Sequence, residues 1–276
     1  MKTIIVPTDF SPIATNALHY AIDLAKSINA SIILFHVYQV PVSFTDAPIL
    51  LMSVDDLRKN AVQKILTLKE EVEHISGGHI KVYEETVLGN VEDELETLCN
   101  KIKPFAVVMG TKGAGAVERV LFGSNTLNAI KHLTWPVICV PPGKTFGQGI
   151  KKIGFACDLK NVVETIPAEQ IINFVKTVGA KLYVMTVDYE NKHSEGETPQ
   201  QSALLQSMLA EVEPSYHFIQ YKDVEDGINY FADQNDLDLI LAIPKKHKLL
   251  DAIFNQSSSK QLVYQSRVPV LCVHEE

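Results

Sequence analysis

The chain has 276 residues, enough for two domains that each bury a core of their own. Hydrophobic residues make up 46%, charged residues 21%, and the formal net charge is -8. That balance argues against sequence-independent nucleic-acid binding, which needs a cationic surface, and against attraction to anionic lipid. No apolar run approaches the roughly 20 residues that span a bilayer, so no membrane partner is expected.

Met1-Lys2-Thr3 leads into a short apolar run that Pro7, Thr8 and Asp9 interrupt, which is not the pattern of a signal peptide. The first half then alternates strand and helix patterns. Strands are expected over 3–7, 31–37, 80–87, 105–110 and 137–140. Runs such as Ile32-Ile33-Leu34-Phe35 and Phe105-Ala106-Val107-Val108-Met109 are apolar throughout, as suits strands covered on both faces of a parallel sheet. Ser11-Pro12 reads as a helix start, with serine as N-cap and proline at the first helical position. Ala14, Ala17, Leu18, Ala21, Ala25 and Ile28 mark one face of that helix. Val54, Leu57, Ala61, Ile65, Leu68 and Val72 repeat the spacing, as do Val91, Leu95, Leu98 and Ile102, and a last helical stretch runs from Asn125 to His132. Strand–helix alternation implies βαβ units with right-handed crossovers. The apolar segment 40–52, interrupted by Pro41 and Pro48, reads as a lid or a packing surface.

The second half repeats the first. Pro-Val-x-Cys-Val occurs at Pro136–Val140 and again at Pro269–Val273, a separation of 133. A short apolar run ends in Asp9 and another in Asp158, 149 apart. Ala30–Val37 likewise matches Ala180–Val187. The order is preserved and the separation shrinks, which describes a tandem duplication with shorter connections in the second copy. The Pro/Gly-rich stretch 141–149 is the seam, and the expected domains are 1–146 and 147–276. Strands of the second copy are expected near 151–156, 181–187, 216–221, 238–243 and 269–273, with a polar loop over 189–200.

Four cysteines show no CxxC pair and no zinc-ligand spacing with histidine. Three sit in apolar strand-like runs, where cysteine behaves as a small hydrophobe, and a reducing cytoplasm is the expected location. The histidines show no metal pattern, and His36, at a strand end, reads as a satisfied histidine rather than a catalytic one. Lys245-Lys246-His247-Lys248 is a short basic run, read as a solvated loop. No metal-ligating or catalytic constellation emerges.

In open α/β sheets ligands bind beyond the carboxyl ends of the strands, at the switch point, and Asp9, Val37 and Gly110 all fall at such ends. After the fourth strand comes Gly110-Thr111-Lys112-Gly113-Ala114-Gly115, and Gly123-Ser124 follows just before a helix. Glycines let backbone approach a polyphosphate, and a helix start offers unpaired N–H groups and a favourable dipole. Neither GxxxxGK[ST] nor GxGxxG after the first strand is present. The spacing Gly110-x2-Gly113-x9-Gly123-Ser124 resembles the nucleotide loop of the ATP-binding branch of the universal stress protein family. Val6–Ser11, Leu34-Phe35-His36-Val37 and Trp135-Pro136-Val137 resemble that family as well, and the likeness covers the whole chain as a tandem pair.

The resemblance implies two flavodoxin-like α/β domains of the adenine nucleotide alpha hydrolase-like type, each with a five-stranded parallel sheet. It implies ATP as ligand, with Mg through the phosphates. Asp9 and Val37, with Pro7 and Thr8 beside them, would line the adenine and ribose side, the backbone of Val37 contacting the base. Met109, Gly110, Lys112 and Gly113 would wrap ribose and phosphates, and Gly123, Ser124 and Asn125 would hold the terminal phosphates. Asp9 is equally well read as capping the helix that Pro12 opens. The family pairs its domains around a two-fold axis, which a tandem chain can satisfy within itself as a pseudo-dimer, with homodimerisation a further option.

In the second copy Gly110, Gly113, Gly123 and Ser124 fall on Ala242, Lys245, Asn255 and Gln256, while Asp158 and Val187 remain. Side chains at Lys245 and Asn255 would crowd a phosphate, so nucleotide is expected in the first copy only. The function implied is an ATP-binding stress-response or signalling module without fast chemistry of its own. The alternatives are a slow metal-dependent ATPase and a nucleotide-free interaction scaffold.

Overall fold

The apolar runs form one continuous sheet in the computed structural model, which describes residues 1–40, 53–111, 123–187, 198–244 and 266–274. The first half carries β1 (Thr3–Pro7), α1 (Pro12–Ile28), β2 (Ser31–Tyr38), α2 (Val54–Ser76), β3 (Val82–Leu88), α3 (Val91–Ile102), β4 (Ala106–Gly110), α4 (Ser124–His132) and β5 (Val137–Val140). The second carries β6 (Lys152–Ala156), α5 (Val162–Thr165), α6 (Ala168–Val178), β7 (Lys181–Val187), α7 (Thr198–Met208), β8 (Ser215–Ile219), α8 (Val224–Asn235), β9 (Leu239–Ala242) and β10 (Val270–Cys272). The expected strands are all present, with edges displaced by a residue or two. The edge strand β8 is set by its parallel register on β7, Tyr183 opposite Ser215 through Val187 opposite Ile219.

The strand order is β3-β2-β1-β4-β5-β10-β9-β6-β7-β8. Each half is a parallel α/β unit in 3-2-1-4-5 order, with its switch point between the first and fourth strands. The halves join where β5 meets β10 antiparallel, Cys139 opposite Val270 and Val137 opposite Cys272. Two edge strands thereby lose their unpaired edges to each other. Cys139 and Cys272 are fully buried at this seam, and their hydrogen bond followed by burial holds the Cys139 thiol well above its ordinary pKa.

The strands alternate between two core layers. Ile4, Val6, Ile32 and Leu34 face α1 and α2, while Ile5, Ile33, Phe35 and Val107 face α3 and α4. Both layers run on into the second half, through Phe174 and Leu182 on one side and Ile228 and Ile240 on the other. Phe105, ahead of β4, stacks on Phe174 of α6 with centroids 5.2 Å apart.

Helix α1 begins as its sequence dictates. Ser11 caps it by accepting the Ala14 N–H at 3.2 Å, and Pro12 holds the first position. The expected apolar face is buried except at Ile28, which is half-buried, and Tyr20, Ile22 and Leu24 on its flank are buried as well. Tyr20 meets the ring of Phe146 edge-on at 5.2 Å, and burial pushes its phenol pKa up. Asn16 donates to the carbonyls of Pro141 and Lys144, tying the connection between the halves to the same helix. The matching helix of the second half is broken. Ile166 leaves α5 in an extended conformation because Pro167 follows it, and α6 restarts beyond.

Candidate functional site

At the switch point β1 feeds α1 on one face of the sheet and β4 leads to α4 on the other. Their carboxyl ends therefore mark the switch point, where open parallel α/β sheets form a crevice.

Pro7 ends β1, half-buried. Thr8 is buried in the turn: its N–H donates to Phe35 at 2.8 Å, its hydroxyl accepts from the Phe10 N–H at 3.0 Å, and its carbonyl accepts from His36 Nδ1 at 2.8 Å. A carbonyl only accepts, so Nδ1 of His36 carries the proton and the ring orientation is fixed. His36 is thus a satisfied histidine that holds the β1–α1 turn. Phe10, which sequence reasoning passed over, sits in the left-handed region at φ 63° with its ring 4.6 Å from His36. Lys64 of α2 lies 5.6 Å from the same ring. A groove of about 550 Å³ opens between α1 and α2 beside them.

Asp9 is exposed, and its Oδ1 accepts the Ser11 N–H at 3.0 Å. It does not cap α1 itself; it folds the turn that presents Ser11, which does. Val37 is half-buried in β2. Phe35 points its carbonyl at Thr8, on the β1 side, whereas Tyr38 points its carbonyl at Gly89, on the β3 side. The alternation of a strand therefore turns the Val37 N–H and C=O to the side where β1 has already ended, which is the crevice.

Met109 and Gly110 are buried at the end of β4. A Cβ on Gly110 would lie 2.6 Å from Ile13 Cγ2 and 2.8 Å from the Ile13 carbonyl oxygen. Glycine here lets α1 close against β4, a packing requirement beside any role toward a ligand. Lys112 and Gly113, like Arg119, lie outside the described residues. The two ends of the segment that contains them are stitched together. The Gly123 N–H donates to Thr111 at 3.1 Å, and the Thr126 hydroxyl donates to the Gly110 carbonyl at 2.9 Å. Thr111 in turn donates to Val140, the last residue of β5, at 3.2 Å. The clamp at Thr126 was not anticipated, because a threonine in a first helical turn carries no signal of its long-range partner.

Gly123 is the N-cap of α4, at φ -68° and ψ 143°, an extended conformation open to any residue, and it provides no side-chain cap. The N–H groups of Ser124, Asn125 and Thr126 thus have neither an intrahelical acceptor nor a cap from that position. Ser124 and Asn125 are exposed. Asn125 lines the narrow groove between α3 and α4 with Glu92 and Asn128.

The second half keeps the turn and alters the rest. Asp158 Oδ1 accepts the Lys160 N–H at 3.2 Å, Leu159 takes φ 53°, and Cys157 donates to Met185, each as its counterpart does in the first half. Leu159 is buried, however, and Gln201 of α7 accepts the Val162 N–H at 2.9 Å, occupying the start of α5. Ala242 lies opposite Cys272 as Met109 lies opposite Cys139, so the register places Ile243, and not Ala242 as the sequence alignment implied, where the first half has Gly110; Lys245, Asn255 and Gln256, the 40–52 segment beyond Val40, and the basic run at 245–248 lie outside the described residues.

Among the described residues no group of three or more His, Cys, Asp and Glu could hold a metal ion. No helix among them is long and apolar enough to cross a membrane. A family model described as the universal stress protein family matches residues 1–141. Universal stress protein MJ0531 of Methanocaldococcus jannaschii is 30% identical over 150 residues, covering 52% of this chain and 84% of that protein. Universal stress protein MJ0577 of the same organism is 29% identical over 156 residues, covering 50% of this chain and 94% of that protein. The crystal structure of a universal stress protein from Archaeoglobus fulgidus covers 99% of this chain and 98% of its own, with a TM-score of 0.76 at 18% identity, a likeness of fold. With the family model matched over half of its length, the chain belongs to the universal stress protein family.

Proposed function

We propose that the chain binds one ATP in its first half, 1–146, and that the second half, 147–276, is a silent partner in a pseudo-dimer closed by the β5–β10 seam. The observation that carries this is the start of α4. Gly123 adopts a conformation any residue could take and has no side chain to cap the helix, yet it stands at the switch point before three N–H groups with no acceptor among the described residues. Backbone conformation does not require glycine there; in this reading, access to the helix start is what does.

In this reading the Val37 backbone meets the base, and Asp9 lies on the ribose side of the crevice. Met109 and Gly110 form its floor, with Lys112 and Gly113 in the segment that follows. The N–H groups of Ser124 and Asn125 and the Ser124 hydroxyl take the terminal phosphates, helped by the helix dipole. Mg is carried by the phosphates rather than by a protein cluster. Pro7 and Thr8 act as supports, since the N–H, carbonyl and hydroxyl oxygen of Thr8 all bond within the turn and its neighbouring strand. Binding, and a change in the arrangement of the two halves that follows it, is the function proposed, rather than turnover.

The test is Gly123→Val. Valine fits φ -68° without strain, so the fold is retained while its methyl groups occupy the approach to the helix start. Titration calorimetry with ATP and magnesium is expected to show binding by the parent chain and none by the variant. Equal binding by both would remove the helix start from the site.

A further inference from the structure

Helix α4 is short, Ser124–His132, and its last carbonyls have no intrahelical donor. Leu133 donates back to Ala129 at 3.1 Å and leaves the helix in an extended conformation, so no left-handed cap closes over the end. The Ile130 carbonyl is left over, on a residue only 6% exposed. Its partner comes from the other half of the chain: Nε2 of His274, two residues beyond β10 and buried, bonds to Ile130 O.

We infer that His274 is a positioning residue for the nucleotide site, supplied by the half that does not bind; this rests on the reading of that site given above. Helix α4 is clamped at its start by Thr126 on Gly110 and at its end by His274. A helix of this length spans about 13 Å and moves as one rod. Without His274 the Ile130 carbonyl loses its donor in a dry environment, and the helix must tilt or fray to reach another. Either movement shifts the N–H groups of Ser124 and Asn125. The arrangement is one-sided, because the position that matches His274 in the first half is Pro141, which has no side-chain donor. The second half has lost its own glycines and contributes to the first half's site through its C-terminal end.

Nucleotide binding is thereby joined to the seam between the halves. Thr111 hangs from Val140 of β5, β5 pairs with β10, and His274 follows β10. Coupling of this kind is reciprocal, so nucleotide must in turn steady the end of β10.

The experiment is calorimetry with ATP and magnesium on the full chain, His274→Ala and His274→Gln, with hydrogen exchange on the parent chain with and without ATP. Glutamine places an amide N–H near the position of Nε2. His274→Ala is expected to weaken binding about three- to tenfold, the equilibrium effect of one hydrogen bond, and His274→Gln to restore it within about twofold. In the parent chain ATP is expected to slow amide exchange over 270–274. A folded His274→Ala chain that binds as the parent does overturns the inference, as does His274→Gln binding no better than His274→Ala. Exchange over 270–274 unmoved by bound ATP overturns it without any variant. If the parent chain binds no ATP, the functional reading falls first and this one with it. Parent binding with no effect at His274 removes this inference alone.

Discussion

Replacing Gly110 by alanine separates two reasons for a glycine at the end of β4. If the residue only lets a ligand approach, a methyl group leaves the nucleotide-free protein as stable as before. The structure gives the other outcome. The new Cβ would stand 2.6 Å from Ile13 Cγ2 and 2.8 Å from the Ile13 carbonyl oxygen. The side chain can rotate away, but the carbonyl belongs to the first turn of α1, and moving it moves the helix that Ser11 and Pro12 have set. Overpacking of this kind costs about 1–3 kcal/mol. At about 2–4 °C per kcal/mol for a chain near this size, the nucleotide-free variant should melt roughly 2–12 °C below the parent. Calorimetric melting without nucleotide is the assay. Ile13→Ala in the Gly110→Ala background should recover only part of the loss, since it removes Cγ2 and leaves the carbonyl. An unchanged melting temperature in Gly110→Ala would refute the packing argument and return this glycine to the ligand alone.

Other outcomes follow from the same structure. Phe174→Ala removes a ring that is 2% exposed and stacked on Phe105 across the halves, so it should cost about 3–5 kcal/mol. Because the core layers run through both halves, denaturant curves followed by near-ultraviolet and far-ultraviolet dichroism should stay coincident; two separated transitions would contradict a shared core. Burial first, and Glu96 second, pushes the Cys99 thiol up to about 12 from 9.0. Its neutral form is favoured in the fold, so stability is fully present below the unfolded thiol's pKa and drains away as pH rises from about 9 toward 12. Cys99→Ser should flatten that alkaline decline, and in the native parent chain at pH 8 Cys99 should resist a thiol reagent until the protein is unfolded. Thr126→Val removes the hydroxyl that holds α4 to Gly110 and should cost about 1 kcal/mol in denaturation while weakening ATP binding; unchanged values for both would discard the clamp.

Where a signal was local, it could be read directly. Continuous apolar runs located the strands because both faces of a parallel sheet are covered, and Ser11-Pro12 located the start of α1 because cap and first turn lie side by side in the chain. Tyr20 and Leu24 fell off the expected face of α1 because what buries that flank, Phe146 and the layer shared with the second half, is remote in sequence. The break between α5 and α6 follows from Pro167, which blocks helix continuation wherever it falls in an interior, a signal the sequence reading did not use. At the site the glycines of the first half stood out by spacing, and Asp9, Val37 and Gly110 lie at or next to the carboxyl ends of β1, β2 and β4. What spacing could not supply was the set of bonds that hold the crevice: Thr126 to Gly110, Gly123 to Thr111, and His274 to Ile130. Each joins groups distant in the chain or carried by a residue type with many ordinary uses.

The central claim is one live nucleotide site per chain, and stoichiometry tests it most directly. Equilibrium titration of the full chain with ATP and magnesium should saturate at one nucleotide per chain, with Asp158→Ala leaving that number and the affinity unchanged. Saturation at two would show that the second half binds despite Ile243 in the place of Gly110 and the filled start of α5, and absence of binding by the folded chain would contradict the nucleotide reading altogether.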